Sequence, residues 1–241
     1  MTKESIHQLI SFIDLTSLND TDNQEAVAAL VDKANKGILG STPAAVCVFP
    51  NFGQYARSLT KLNVAVVGGC FPTGQTTTEA KIAELQDIAA LPVDEVDIVI
   101  NRGELIAGNY DYVANEISLS KKAIGSKHLK VILESGQLNE WQIKKASEIA
   151  IDNGADFIKT STGKINVGAT VPAARIMCEA IARSGKKVGF KASGGIRTYE
   201  DAMNYYRIVH EVLGENWLTP ELFRIGASSL FDNLEIELQM L

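Results

Sequence analysis

The sequence predicts a (β/α)8 barrel, the TIM-barrel architecture, formed as a single domain by residues 1–241. Short β-rich runs alternate with longer amphipathic stretches, and eight such units follow one another. No low-complexity segment or long linker divides them. No Gly-x-Gly-x-x-Gly motif follows an early strand, which disfavours a dinucleotide-binding fold. Eight units match a closed barrel, and an open doubly wound sheet is the alternative.

The strands are predicted at short apolar runs, each the length of a buried parallel strand. In chain order they are Ser11–Leu15, Ala44–Phe49, Asn63–Val67, Glu95–Ile100, Leu129–Glu134, Asp156–Thr160, Lys187–Ala192 and Phe223–Gly226. A helix is predicted after each strand, because the intervening stretches have the spacing of an amphipathic helix. The clearest helices are Asp22–Asn35, Thr78–Leu91, Tyr112–Ile124, Glu140–Asn153, Pro172–Arg183 and Tyr199–Leu213. Glycines stand where helices should end, at Gly37, Gly125, Gly154, Gly185 and Gly214.

Composition narrows the class of protein. The hydrophobic fraction of 46% and charged fraction of 22% are ordinary for a soluble globular protein, and the net charge of −6 argues against a nucleic-acid partner. Three cysteines without a Cys-x-x-Cys pair and three scattered histidines predict neither a disulfide framework nor a metal site. The sequence has no signal-peptide pattern and no apolar run of about 18 residues, so we expect a cytoplasmic protein without a membrane segment.

Two lysines lie inside runs that otherwise read as buried strands. Lys159 lies in the sixth predicted strand and Lys191 in the seventh. Because strand side chains alternate between faces, both lysines and Asp97 of the fourth strand are predicted to point into the barrel. All three stand late in their strands, near the C-terminal mouth where barrel active sites lie. Lysine is rarely buried without a partner or a task.

The two lysines indicate amine chemistry on a carbonyl compound. Two ammonium groups about 4 Å apart repel by about 4 kcal/mol at an effective dielectric of about 20. This repulsion is enough to lower the pKa of one lysine by about three units, and burial acts in the same direction. A neutral amine attacks an aldehyde to form a Schiff base, and Asp97 would help to move protons. The alternative is that both lysines reach solvent or pair with carboxylates.

Glycine-rich loops after three successive strands indicate an anionic ligand. The pair Gly194 and Gly195 follows the seventh strand, and Gly226-Ala227-Ser228-Ser229 follows the eighth and opens a helix. Gly163 and Lys164 add a flexible turn and a cation after the sixth. Barrels commonly bind phosphate with the loops after strands seven and eight and with a helix N-terminus.

The chain resembles the deoxyribose-phosphate aldolases, a family of class I aldolases, over nearly its whole length. The resemblance is carried by Asp14-Leu15-Thr16-Ser17-Leu18-Asn19, Ala44-Ala45-Val46-Cys47-Val48, Glu95-Val96-Asp97-Ile98-Val99, Lys130-Val131-Ile132-Leu133-Glu134, Phe157-Ile158-Lys159-Thr160-Ser161-Thr162-Gly163-Lys164, Gly189-Phe190-Lys191 with Gly194-Gly195, and Phe223-Arg224-Ile225-Gly226-Ala227-Ser228-Ser229. It implies reversible joining of acetaldehyde and D-glyceraldehyde 3-phosphate into 2-deoxy-D-ribose 5-phosphate.

By that resemblance, Lys159 matches the Schiff-base lysine, Lys191 the lysine that perturbs it, and Asp97 the proton-relay aspartate. The resemblance further implies a phosphate site and substrate-lining residues, no metal or other cofactor, phosphosugar and aldehyde substrates, and a homodimer. The phosphate positions are Gly163, Lys164, Gly194, Gly195, Ser228 and Ser229, and the substrate-lining positions are Asp14, Thr16 and Leu18.

The sequence also departs from the family pattern. Arg102 and Glu104 are unexpected in the loop after Asp97, and Ala192-Ser193 follows Lys191 where some members have Pro-Ala. The sequence ends at Leu241 without the tyrosine-ended tail of some members, so no role of that tail is carried over. Cys47 matches a cysteine near the site that aldehydes modify in relatives, and we expect it to act as a small buried hydrophobe.

Three other functions compete with the Schiff-base aldolase. A metal-dependent aldolase needs a cluster of histidine or carboxylate ligands, which the sequence does not offer. A sugar-phosphate isomerase would use a glutamate base, for which Glu134 is the candidate, but the two lysines would be unexplained. A catalytically silent sugar-phosphate-binding barrel predicts binding without covalent trapping.

Overall fold

The computed structural model describes residues 2–240, which form a closed barrel of eight parallel strands paired in sequence order. This confirms the predicted fold class. The strands are β1 (Ile13–Thr16), β2 (Ala45–Val48), β3 (Asn63–Gly68), β4 (Glu95–Val99), β5 (His128–Ile132), β6 (Phe157–Lys159), β7 (Gly189–Ser193) and β8 (Phe223–Ala227). Pairing of β8 with β1 closes the barrel.

Helices surround the strands. They are α1 (Lys3–Ser11), α2 (Gln24–Lys36), α3 (Gly53–Leu59), α4 (Thr78–Ala89), α5 (Arg102–Ile106), α6 (Tyr110–Ile124), α7 (Glu140–Asp152), α8 (Val171–Ser184), α9 (Tyr199–Leu213) and α10 (Leu230–Gln239). Short 3-10 turns cover Pro50–Phe52, Ser135–Gln137 and Glu215–Trp217. In the described part of the chain, no helix has the length and apolar character needed to cross a bilayer.

The first predicted strand began too early. Ser11 is the last residue of α1, and β1 starts only at Ile13. The helix forms because Thr2 and Ser5 make a capping box, while Ile6, Leu9 and Ile10 are spaced to bury one helical face. The helix packs this face into the core, so the apolar run preceding Ile13 belongs partly to α1.

The predicted alternation of side chains holds in the strands that carry the site. Val96, Ile98 and Ile100 belong to the large apolar core between strands and helices, so the alternate residues of β4 face the barrel interior. The strand register places Lys159 beside Lys191. Deeper in the interior, a Cβ atom on Gly189 would collide with the Phe157 ring. The Phe157 ring in turn lies 5.6 Å from the Arg224 guanidinium carbon.

Candidate active site

The barrel interior holds a cluster of buried charged side chains, which we call the interior charge cluster. Every member is at most 3% exposed, although charged side chains are seldom buried unless they are paired. The members are Asp14 on β1, Glu95 and Asp97 on β4, Lys130 on β5, Lys159 on β6, Lys191 on β7 and Arg224 on β8.

Asp97 is at the centre of the cluster. Its Oδ2 atom accepts hydrogen bonds from Lys159 Nζ at 2.7 Å and Lys191 Nζ at 2.9 Å. Its Oδ1 atom accepts one from Lys130 Nζ at 2.9 Å. Burial raises the pKa of Asp97, but the three lysines outweigh burial and hold that pKa well below its usual range. Asp97 is therefore a carboxylate that links the lysines of three strands.

The other members of the cluster form a second set of ion pairs. Lys130 Nζ lies 2.5 Å from Glu95 and 3.4 Å from Asp14. Arg224 joins the same two carboxylates, at 2.9 Å from Glu95 and 2.6 Å from Asp14. Asp14 also accepts a hydrogen bond from Lys191. Because Lys191 has two carboxylate partners and Lys159 has one, the two lysines lie in different electrostatic environments.

The pKa values of the two lysines move in opposite directions. For Lys159, burial is the main cause and lowers the pKa; Asp97 opposes it, and Lys191 lowers it further. For Lys191, burial also lowers the pKa, but Asp14 and Asp97 outweigh it and the net shift is upward. The direction for Lys159 is the one that the sequence predicts for one of the two amines. However, burial contributes more than the repulsion that the sequence analysis emphasised.

A cleft of about 510 Å³ opens above the interior charge cluster. Of the three interior lysines that the structure describes, Lys159 alone lines it. Predicted residues that line it with Lys159 are Thr16, Leu18, Gly163, Lys164, Gly194, Gly195, Ser228 and Ser229. The resemblance places Asp14 among the substrate-lining residues, but Asp14 is not part of the lining of this cleft. Asp14 is fully buried beneath it, because Lys191 and Arg224 bind its carboxylate.

Some of the residues that line the cleft are suited to an anion. Gly194 and Gly195 have φ angles of 86° and 84°, which leave their backbone in a conformation that other residues rarely adopt. Ser229 caps α10 without a side-chain hydrogen bond to the described helix, so backbone N–H groups at this helix start are free for a ligand. Lys164 is exposed at the cleft and donates to the Leu18 carbonyl.

Glu134 supports the loop that follows β6. It is buried, has a left-handed backbone, and accepts bonds from Thr162 N at 3.2 Å and Thr162 Oγ1 at 2.5 Å. Thr162 Oγ1 then accepts a bond from the Lys164 backbone N–H at 3.0 Å. The Arg102 Nη1 atom lies 3.4 Å from Glu134. Both Glu134 oxygens are thus committed to neighbouring groups, which argues against Glu134 as an isomerase base.

Cys47 lies near the mouth in a small apolar cluster with Leu18, Ala65 and Val67. It is fully buried, and burial together with nearby Asp97 raises the pKa of its thiol to about 11. A thiol with a raised pKa carries little thiolate at neutral pH and is a poor nucleophile. The environment therefore agrees with the expected role as a small buried hydrophobe.

Sequence reasoning missed part of the site. Glu95, Lys130 and Arg224 complete the interior charge cluster, and a signal for them was present because each is a charged residue within a predicted buried strand. The cleft is also lined by Ser17, Asn19, Lys33 and Arg197. These four lie on loops or on a helix, where exposed polar residues are common and no periodicity marks them. Among residues 2–240, no group of three histidine, cysteine or acidic side chains is arranged to hold a metal ion.

A closed parallel barrel with a buried lysine amine at the foot of a cleft is the arrangement of a barrel aldolase. The chain belongs to the DeoC/LacD family of aldolases, whose family model matches residues 8–230. It is 40% identical over 248 residues to human deoxyribose-phosphate aldolase, covering 94% of this chain and 78% of the human one.

Solved structures agree with this assignment. The aldolase QR15 superimposes with a TM-score of 0.81 at 33% identity, covering 96% of each chain. The tetrameric deoxyribose phosphate aldolase of Aeropyrum pernix superimposes with a TM-score of 0.75 at 25% identity, covering 100% of each chain.

Proposed function

We propose that this protein cleaves 2-deoxy-D-ribose 5-phosphate reversibly to D-glyceraldehyde 3-phosphate and acetaldehyde, through a Schiff base on Lys159. The observation that carries the proposal is the position of Lys159. It is the interior lysine that lines the cleft, and its pKa is lowered. The names of the human and Aeropyrum relatives support this choice of substrate.

In the cleavage direction, the neutral Lys159 amine attacks the substrate aldehyde carbon, and loss of water gives an iminium. The iminium accepts the electron pair of the bond between the second and third substrate carbons. That bond breaks while the hydroxyl on the third carbon loses its proton, and glyceraldehyde 3-phosphate leaves. The enamine left on Lys159 takes up a proton at carbon, and water hydrolyses the resulting iminium to release acetaldehyde.

Asp97 and Lys191 are the proposed groups for proton transfer. Asp97 is held as a carboxylate, and its Oδ2 contacts both lysine nitrogens. Lys191 keeps its proton because its pKa is raised, so it is an acid next to a base. Asp97 takes a proton through a water, and Lys191 returns one to the reacting carbon or oxygen.

The substrate phosphate is proposed to bind in the part of the cleft that is lined by the loops after β6, β7 and β8. The groups there are the backbone of Gly163, Gly194 and Gly195, the Ser228 and Ser229 residues at the start of α10, and the Lys164 ammonium. Free N–H groups and a cation suit a phosphate dianion. Anchoring the phosphate would fix the distance between the aldehyde and Lys159.

The direct test is an activity assay with purified protein. We expect 2-deoxyribose 5-phosphate to yield both aldehydes, and Lys159→Met to abolish this activity while ligand binding persists. The matched control is Lys81→Met, because Lys81 is also a fully buried lysine with a carboxylate partner, Glu116, at 2.7 Å but lies outside the barrel interior. Binding without cleavage would favour the silent sugar-phosphate-binding barrel, and loss of activity with a chelator would favour a metal-dependent aldolase.

We also propose a cytoplasmic homodimer, on the basis of the family resemblance. Light scattering coupled to size-exclusion chromatography would measure the assembly, and a mass of about twice the 26.0 kDa chain is expected. A mass of about four chains would instead match the assembly named for the Aeropyrum relative.

A further inference from the structure

We infer that Lys130 is a positioning residue that keeps Lys159 unprotonated, by neutralising Asp97 from the side opposite Lys159. The inference rests on the proposed function, since it assumes that Lys159 is the nucleophile. Lys130 itself does not line the cleft and is fully buried, and it is linked to Lys159 only through Asp97, so we expect it to act on Lys159 and not on the substrate.

The contacts of Lys130 show how it acts on Lys159. Its Nζ atom is 2.9 Å from Asp97 Oδ1, and Lys159 is bonded to the other oxygen, Oδ2, of the same carboxylate. A carboxylate that already has a cation on one oxygen stabilises a second cation less. Lys130 therefore competes with a protonated Lys159 for the charge of Asp97.

The charge count of the interior charge cluster leads to the same result. Asp14, Glu95 and Asp97 are anions, and Lys130, Lys191 and Arg224 are cations, so these six balance. Burial opposes charge on Lys130, but its three carboxylate neighbours raise its pKa well above the usual range. A proton on Lys159 would add an unbalanced charge to a buried site, which is costly.

The groups facing Lys159 come from most of the barrel. They are Cys47 on β2, Asp97 on β4 and Lys191 on β7, with Asp14, Glu95, Lys130 and Arg224 joined to them through the ion pairs described above. Cys47 has a raised pKa and stays neutral near pH 7. The β3 residues in the same region, Ala65 and Val67, carry no charge. Lys130 and Glu95 are therefore among the members that can be changed without removing a contact of Lys159.

Two substitutions should move the protonation of Lys159 in opposite directions. Lys130→Met removes a cation, so the remaining cluster balances only when Lys159 holds a proton. Glu95→Gln removes an anion that binds Lys130 and Arg224, so the cluster disfavours a proton on Lys159 more strongly. A defect of folding alone would lower the rate in both variants and would not give opposite shifts.

The experiment measures the rate at which acetaldehyde is reductively trapped on the protein by cyanoborohydride, from pH 5.5 to pH 9.5. At pH 7 we expect Lys130→Met to trap about tenfold more slowly than the wild type, with the midpoint of its pH profile moved to alkaline pH. Glu95→Gln should move the midpoint to acidic pH. The control Lys81→Met should keep the wild-type midpoint, because Lys81 pairs with Glu116 outside the barrel interior.

Midpoints for Lys130→Met and Glu95→Gln that match the wild type, or that move in the same direction, would overturn the inference. If circular dichroism shows that Lys130→Met does not fold, the Glu95→Gln variant alone tests the inference. An acidic shift of its trapping midpoint supports the inference, and an unchanged midpoint overturns it. Failure of the proposed function looks different, because the wild type itself would then form no adduct with acetaldehyde.

Discussion

At the scale of residues, the different roles of Lys159 and Lys191 follow from the number of carboxylates that each side chain contacts. Lys191 bonds both Asp14 and Asp97, and these anions outweigh burial and keep it charged. Lys159 bonds Asp97 alone and lines the cleft, where burial lowers its pKa. The lysines are register partners on adjacent strands, so this difference arises from their neighbours across the barrel.

A Lys191→Leu variant tests the influence of the second charge. Removing a cation that lowers the pKa of Lys159 should leave Lys159 protonated to higher pH. Trapping of acetaldehyde at pH 7 should slow by about tenfold and recover as the pH is raised. Lys144→Leu, a half-exposed lysine on α7, is the control that should behave as the wild type. Equal pH profiles for Lys191→Leu and the control would remove this role from Lys191.

At the scale of elements, the loops after β3, β4, β5 and β6 are joined by Arg102 at the start of α5. Arg102 Nη2 donates to the Thr73 carbonyl at 2.9 Å, and Nη1 lies 3.4 Å from Glu134. Glu134 in turn holds Thr162 in the loop that leads to Lys164. The residue that departs from the family pattern therefore lies where four loops meet.

An Arg102→Met variant should loosen the loop that carries Gly163 and Lys164. We expect KM for 2-deoxyribose 5-phosphate to rise about fivefold with little change in kcat, because about 1 kcal/mol of charged hydrogen bonding is lost. Steady-state kinetics would measure KM for 2-deoxyribose 5-phosphate and for unphosphorylated deoxyribose. The rise in KM should occur only with the phosphorylated sugar.

Arg57→Met is the control for this prediction. Arg57 also ties loops together, through the Pro92 carbonyl and Asp94, but it does so at the end of the barrel where β4 begins. The KM of the Arg57→Met variant for 2-deoxyribose 5-phosphate should be unchanged. A fall in kcat without a change in KM for Arg102→Met would show that Arg102 does not act through the phosphate loop.

At the scale of the whole molecule, the interior charge cluster links stability to pH. The pKa values of Asp14, Glu95 and Asp97 are all lowered in the folded protein, since nearby cations outweigh burial. In the unfolded chain these groups titrate at about 4. Their contribution to stability is therefore complete above about pH 5, and it is lost as the pH falls through the lowered folded values.

Urea unfolding between pH 6 and pH 2.5 checks this linkage. The free energy of unfolding should fall steeply below about pH 4.5, and Glu95→Gln should reduce the slope by up to about 1.4 kcal/mol per pH unit, because one titrating group is absent. The comparison uses slopes, because the substitution also leaves Lys130 and Arg224 short of a partner. Parallel curves for the two proteins would contradict the account.

Much of this arrangement could be predicted from the sequence. Alternation within short strands placed Asp97, Lys159 and Lys191 in one interior, since a closed barrel leaves only two faces for a side chain. The glycine loops were predictable because they follow strands that end at the same mouth. The ion pairs of Lys130 with Asp14 and of Arg224 with Glu95 were not predictable, because they join strands across the barrel and depend on its closed geometry.

The identity of the nucleophile is tested most directly by mapping the trapped adduct. The protein is incubated with acetaldehyde or 2-deoxyribose 5-phosphate, reduced with borohydride, digested, and analysed by mass spectrometry. We predict a two-carbon adduct on the peptide that contains Lys159, and none in Lys159→Met. An adduct on Lys191 or Lys164 with Lys159 unmodified, or no adduct at all while the protein turns over substrate, would contradict the mechanism proposed for this barrel.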